Sequence, residues 1–125
     1  MILDTNALSD FLKELPAVGR ILVIASSFCI PVIVLGQYRF GLKTSRQSKE
    51  LAAKLDSLLY DARILLVEEA TTHIYAGVRA ELKAAGTLIP ENDVWIAALV
   101  RQHRMPLMSR DGHFDLVKGL ERTSW

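Results

Sequence analysis

Three aspartates stand where a folded chain could bring them together. Asp4 ends the apolar tripeptide Met1-Ile2-Leu3, Asp111 closely follows the apolar run Pro106-Leu107-Met108, and Asp93 stands at the start of a helical pattern. Parallel strands expose their carboxyl ends on one side of a sheet, and open α/β proteins place their sites there. Two strand-end acids and one acid at a neighbouring helix start can therefore meet. Carboxylates gathered in this way raise one another's pKa unless a cation compensates. An oxygen-only donor set that leaves room for water suits a hard divalent ion, Mg²⁺ with Mn²⁺ as a substitute. Each acid also has a purely structural use. Asp4 and Asp93 suit helix caps or first turns, and Asp111 before Gly112 is an ordinary turn pair. It is their shared placement at the ends of converging elements that favours a site.

The elements that must position these acids follow from periodicity and turn chemistry. Met1 to Leu3 reads as a short buried strand. Ala7 to Lys13 has helical spacing and ends before Pro16, which opens a second helix with Ile21, Leu22 and Ile24 as its expected buried face. Phe28-Cys29-Ile30 predicts a strand, with Pro31 in the first turn of a helix from Val32 to about Leu42 that carries Gln37 in its middle. Glu50 to Leu59 predicts an amphipathic helix with Leu51, Leu55, Leu58 and Leu59 on one face and Glu50 and Lys54 as an i,i+4 pair. Ile64 to Val67 reads as a strand buried on both faces. Thr71 or Thr72 is expected to cap the next helix, whose stripe is Ile74, Val78, Leu82 and Ala85 and whose stop is Gly86.

Asn92 or Asp93 opens a helix with Ile96, Ala97 and Val100 inward. Pro106 to Ser109 is the next strand, Phe114 to Gly119 a short helix or turn, and Leu120 to Trp125 a closing strand. Strands alternating with helices predict one α/β domain over residues 1–125, with a mainly parallel central sheet flanked by helices in three layers.

Composition narrows the function classes. The chain has 125 residues, half of them hydrophobic, and a mean hydropathy of +0.22. Such an apolar excess implies surface covered by a partner, either a second copy or another chain. A formal net charge of +1 excludes a strongly basic body, so nucleic-acid binding must come from a local patch. Cys29 is the lone cysteine, which excludes an internal disulfide and a multi-cysteine metal site and suits a reducing cytoplasm. No basic region leads an apolar run at Met1, so no secretory signal is expected. The apolar stretch Ile21 to Gly36 is short and interrupted by Ser26-Ser27 and Pro31, so it reads as core and not as a membrane span.

Further motifs join these acids to a known family. Asp4-Thr5-Asn6, Ile30-Pro31 followed by Gly36-Gln37-Tyr38-Arg39-Phe40-Gly41, Ile89-Pro90-Glu91-Asn92-Asp93-Val94-Trp95-Ile96-Ala97-Ala98 and Ser109-Arg110-Asp111-Gly112-His113-Phe114 occur in that order before a final Trp125. Together they resemble the PIN-domain ribonucleases, specifically the VapC-type toxins of prokaryotic toxin–antitoxin pairs. The Asn-Asp-x-Trp-Ile-Ala-Ala stretch is the most specific of them. The resemblance implies a PIN-like fold and a metal-dependent endoribonuclease in which Asp4, Asp93 and Asp111 hold Mg²⁺ or Mn²⁺. It implies hydrolysis that leaves a 5′-phosphate and a 3′-hydroxyl, an RNA substrate, a homodimer, and a VapB-like antitoxin that masks the acidic site. The helix from Val32 to Leu42 and the loop near Lys43 are the expected antitoxin contact.

One position departs from the pattern. The family's fourth acid, usually Glu, falls on Gln37, which joins the catalytic set Asp4, Gln37, Asp93 and Asp111 without a charge. Glutamine keeps the size and one carbonyl oxygen of glutamate, yet attracts a cation less and cannot act as a base. Reduced activity is the expectation, and a catalytically silent module that binds antitoxin or RNA is the alternative. An aspartyl-phosphate phosphatase fits less well, because the third position of its Asp-x-Asp pattern is here Asn6.

Thr5 and Asn92 are expected to orient the carboxylates by hydrogen bonds. Asp115 is not expected to coordinate, and His113 reads as a surface or structural histidine. His73 and His103 fall on predicted helices, with no acid or cysteine read at ligand spacing. Arg39, Lys43, Arg46 and Arg110 read as a solvated surface, with contact to the RNA backbone as their functional use.

Overall fold

The first strand, β1 (Ile2–Leu3), is the centre of the sheet. The computed structural model describes all of residues 1–125. On one side β1 pairs with β2 (Cys29–Pro31), which pairs with β3 (Arg63–Leu65). On the other it pairs with β4 (Leu107–Met108), which pairs with β5 (Arg122–Thr123). All four pairings are parallel, giving the order β3-β2-β1-β4-β5. Six helices connect and cover them: α1 (Thr5–Leu12), α2 (Pro16–Ala25), α3 (Val32–Leu42), α4 (Ser48–Asp61), α5 (Glu69–Ala84) and α6 (Glu91–His103). A 3-10 segment, Gly112–Leu116, follows β4. This is the three-layer α/β arrangement expected from the sequence.

The two-residue alternation of a strand divides the core between the layers. Ile2 and Leu107 point into the larger cluster, with Leu8, Ile30, Val34, Leu99 and Phe114. Leu3 and Met108, one residue on, point into a smaller cluster with Ala7, Val18 and Leu22. All four strand side chains are fully buried. Truncating such a residue to alanine costs about 2–5 kcal/mol, so these short strands are fixed mainly by what packs on them.

Several details differ from the sequence reading. Helix α2 buries Val18 and Leu22, one helical turn apart, which leaves Ile24 on the far side and 85% exposed; Ile21 is only partly covered. Pro31 closes β2 and precedes α3, and is not inside the first turn. Strand β3 lies at the sheet edge and ends at Leu65, so Leu66 and Val67 are exposed and not buried on both faces. Glu68, not a threonine, caps α5; its backbone N–H donates to Thr71 Oγ1 at 3.0 Å in a reciprocal capping box. Ala85 is exposed beyond the end of α5, and Gly86 provides the positive φ of the stop. Helix α6 begins at Glu91, which places Asp93 in its third position.

Candidate metal centre

Asp4 leaves β1 and caps α1. Its Oδ1 accepts the Thr5 N–H at 2.6 Å, and its Oδ2 accepts the Ser109 hydroxyl at 2.7 Å and the Asn6 amide at 3.2 Å. The capping use read from the sequence is therefore real and coexists with a place in the site. Ser109, fully buried just beyond β4, also accepts the Asp111 N–H at 2.9 Å. Asn6 accepts the Arg110 N–H at 3.2 Å. These bonds stitch the ends of the two central strands together, and so fix Asp4 and Asp111 on the same edge.

Asp93 comes to that edge from α6. Its side chain is 12% exposed, and no backbone N–H, hydroxyl or amide donates to it. Its carboxyl is pushed up to about 6, first by burial, then by the charges of Asp111 and Asp4, with His113 opposing the rise. The Asp4 carboxyl is also raised, chiefly by burial; the bonds from Ser109 and Thr5 oppose this, and the Asp111 charge adds to it. Loss of hydration and like-charge repulsion both penalise the ionised form.

Asp111 caps the 3-10 segment, accepting the His113 N–H at 2.9 Å. That turn folds His113 back over the acids, with Nδ1 3.1 Å from Asp111 Oδ1 and 3.6 Å from Asp93 Oδ2. One donor atom from each of Asp93, Asp111 and His113 lies within 4.8 Å of the others. Gln37 stands at the margin on α3, where its Oε1 accepts the Thr5 hydroxyl at 2.6 Å. The neutral residue is thus joined to the site through the residue next to Asp4.

The remaining sequence candidates divide. The Thr5 hydroxyl serves Gln37 and only its backbone N–H serves Asp4. Asn92 is exposed in the first turn of α6 and makes no side-chain bond to an acid. Asp115 is engaged by Arg122, both contacts at 2.7 Å, and the same guanidinium donates to the Ser109 carbonyl at 2.9 Å. Arg110 pairs with Asp10 and lies 4.7 Å over the Trp125 ring, so it is held locally. His73 does have an acid at helical spacing, Glu69, 3.5 Å away on an exposed face. Sequence reasoning passed over Ser109 and Asn6, whose only signal is a small polar residue two positions from each strand-end acid, and read His113 as surface or structural. An open groove of about 930 Å³, lined by Phe11, Leu15, Leu22, Phe28 and Leu58 among others, contains none of the site acids.

The PIN-domain family model matches residues 1–120. The chain belongs to the PIN-domain family. This PIN domain is 28% identical to Ribonuclease VapC2 of Haemophilus influenzae, covering 99% of this chain and 96% of that protein. Its fold matches that of a chain in the structure of VapBC2 from Rickettsia felis bound to a promoter DNA fragment, with a TM-score of 0.90 at 24% identity over 99% and 97% of the two chains. It also matches FitAcB from Neisseria gonorrhoeae, with a TM-score of 0.79 at 26% identity over 97% and 94%. The resemblance drawn from the motifs is borne out.

Proposed function

We propose that this PIN domain, a single domain over residues 1–125, is a metal-dependent endoribonuclease and the toxin of a toxin–antitoxin pair. The observation that carries the reading is the convergence of Asp4, Asp93 and Asp111 at one sheet edge, with no lysine or arginine paired to any of them. The donor set fits a hard divalent cation. Its carboxylates are buried or half-buried and mutually repulsive, and no backbone N–H, hydroxyl or amide donates to Asp93. Mg²⁺ is the proposed ion, with Mn²⁺ as a substitute; when bound, it lowers the pKa of water and offsets charge on the phosphodiester.

The chain's own residues have distinct parts. Asp4, Asp93 and Asp111 supply the carboxylate oxygens. Ser109 and the Thr5 N–H hold the Asp4 carboxylate in one orientation, and Ser109 also fixes the backbone that presents Asp111. Gln37, committed to the Thr5 hydroxyl, lends an amide dipole where family members carry a charge, so we expect reduced cation affinity and reduced cleavage. Thr5 therefore acts as a link between Asp4 and Gln37, and Asn92 is left as a first-turn residue open to solvent.

The neutral Gln37 also favours a second reading, in which the domain binds antitoxin or RNA without cleaving. Mn²⁺-dependent RNA cleavage that vanishes with EDTA and in Asp4→Asn supports the nuclease. Tight antitoxin binding with no cleavage at any metal concentration supports the silent module.

A VapB-like antitoxin is the proposed protein partner, because the solved structures of similar fold include VapBC structures and a toxin–antitoxin complex. A homodimer is proposed from the apolar excess. Large apolar side chains are indeed exposed, including Phe40 on α3 and Val23 and Ile24 on α2. No helix is long and apolar enough to cross a membrane, and a cytoplasmic site of action is proposed.

A further inference from the structure

We infer that His113 is a direct ligand in this centre, and that it shifts the cation preference from Mg²⁺ toward Mn²⁺ and other first-row transition ions. The inference rests on the metal-site reading above and deepens it. It starts from local backbone geometry. Asp111 accepts the His113 N–H, and the 3-10 turn brings the imidazole round to face the carboxylate of its own cap. Asp93 then approaches the same ring nitrogen from another element, α6.

The spacing suits a shared cation. Around an octahedral ion with ligands at roughly 2.0–2.1 Å, neighbouring donors lie about 3 Å apart. His113 Nδ1 lies 3.1 Å from Asp111 Oδ1 and 3.6 Å from Asp93 Oδ2. The ring side chain is half exposed, while the Asp93 residue is more than nine-tenths buried. One side of the group is therefore enclosed and the other is open to water. Asp93 accepts no bond from a backbone N–H, hydroxyl or amide, so His113 is the polar side chain that its oxygens meet at this corner.

Chemistry then separates the ions. A neutral imidazole nitrogen is a good ligand for transition metals, whereas Mg²⁺ selects oxygen donors and sheds its waters reluctantly. Asp4, whose two oxygens accept from Thr5, Ser109 and Asn6, lies outside the group of donor atoms within 4.8 Å of one another that Asp93, Asp111 and His113 form. The histidine adds a donor on the side where Asp93 and Asp111 meet, while the Gln37 oxygen accepts the Thr5 hydroxyl.

The competing reading makes His113 an internal counter-ion, in which a protonated ring occupies the place of the metal. Electron spin-echo spectroscopy of the Mn²⁺-loaded full chain separates the two. The ligand reading predicts a ¹⁴N coupling that is present in the wild type and absent in His113→Ala, together with a loss of about tenfold or more in Mn²⁺ affinity by calorimetry. Mg²⁺ affinity should change several times less. Saturable Mn²⁺ binding without ¹⁴N coupling, or His113→Ala binding Mn²⁺ as tightly as the wild type or more tightly, overturns the histidine assignment and leaves the carboxylate centre standing. If neither protein binds Mn²⁺ saturably, the centre itself fails and the histidine assignment fails with it. Circular dichroism of the half-exposed variant checks that the fold is retained.

Discussion

Carboxylates on two parts of this molecule have opposite fates. On α5, α6, the 3-10 segment and β5, acids are met by arginines. Arg101 binds Glu81 at 3.1 and 2.9 Å, Arg122 binds Asp115, and Arg79 pairs with Glu91. The carboxyls of Glu81 and Asp115 are held below the usual range, chiefly by hydrogen bonds from their arginines. At the carboxyl edge of the sheet, Asp4 and Asp93 go the other way. They are more deeply buried than the surface acids, yet the fold pairs neither with an arginine or a lysine, and only His113 lies against Asp93. The contrast teaches that charge compensation at the edge is left to something outside the chain. Buried like charges without a partner are costly to fold, and a site that binds a cation is a place where that cost has a use.

Asp93→Asn should produce the largest departure from this picture. RNA cleavage should fall by on the order of 100-fold or more, since a ligand and not merely a supporting residue is removed. In metal-free buffer near pH 7.5 the same variant should be more stable than the wild type, by on the order of 2 kcal/mol, because the carboxyl shifted to about 6 is no longer ionised there. Denaturant unfolding reads the second effect. A variant that loses both activity and stability would turn the centre into an ordinary structural cluster.

Gln37→Glu comes next, with cleavage and cation affinity expected to rise about tenfold as a fourth negative charge joins the site. Equal metal-dependent rates for the two proteins would remove any role for the lost charge. Ser109→Ala should then cost roughly 1–3 kcal/mol of stability, because Asp4 loses a buried hydroxyl donor. The Asp4 carboxyl should rise further, and cleavage should become more sensitive to acid.

A pH series sharpens the comparison from another direction. As pH rises from 3.8 to about 6, the native Asp93 holds a proton that the unfolded chain has released. Its contribution to metal-free stability therefore falls with rising pH across that window. Metal affinity should move the opposite way, weakening as pH is lowered through about 6, because protons compete with the cation for the carboxylate. Calorimetric titrations between pH 5 and pH 8 check it. The smallest effect belongs to the arginine-paired face, where Asp115→Asn should leave cleavage unchanged within about twofold.

Much of this arrangement is legible in the sequence, for identifiable reasons. Met1-Ile2-Leu3-Asp4 is legible as a short buried strand ending in an acid, and although Asp4 alone could be only a helix cap, the motif order joins it to Asp93 and Asp111. Helices with strong periodicity, such as α4 with Leu51 and Leu55, are readable from spacing alone. The sequence misleads where burial depends on neighbours. Ile24, Leu66 and Val67 are as apolar as core residues, yet the first lies on the outer face of α2 and the other two just beyond the edge strand β3. The hydrogen-bonded support of the site is hidden for a different reason. Ser109 and Asn6 are small polar residues whose roles arise only when β1 and β4 lie side by side, more than a hundred residues apart in the chain. His113 needs the 3-10 turn at Gly112–Leu116 before it can face Asp93, and no periodicity announces that turn.

The central claim is that the unpaired acids of the sheet edge await a divalent cation. Thermal unfolding of the metal-stripped wild type and of Asp93→Asn, each titrated with Mn²⁺, tests it most directly. At about 100 times the dissociation constant, binding to the native state alone adds roughly 2.7 kcal/mol. The wild type should therefore show a saturable rise in Tm of several degrees, and Asp93→Asn should show little or none. An unchanged wild-type Tm, or an equal rise in both proteins, would contradict the account.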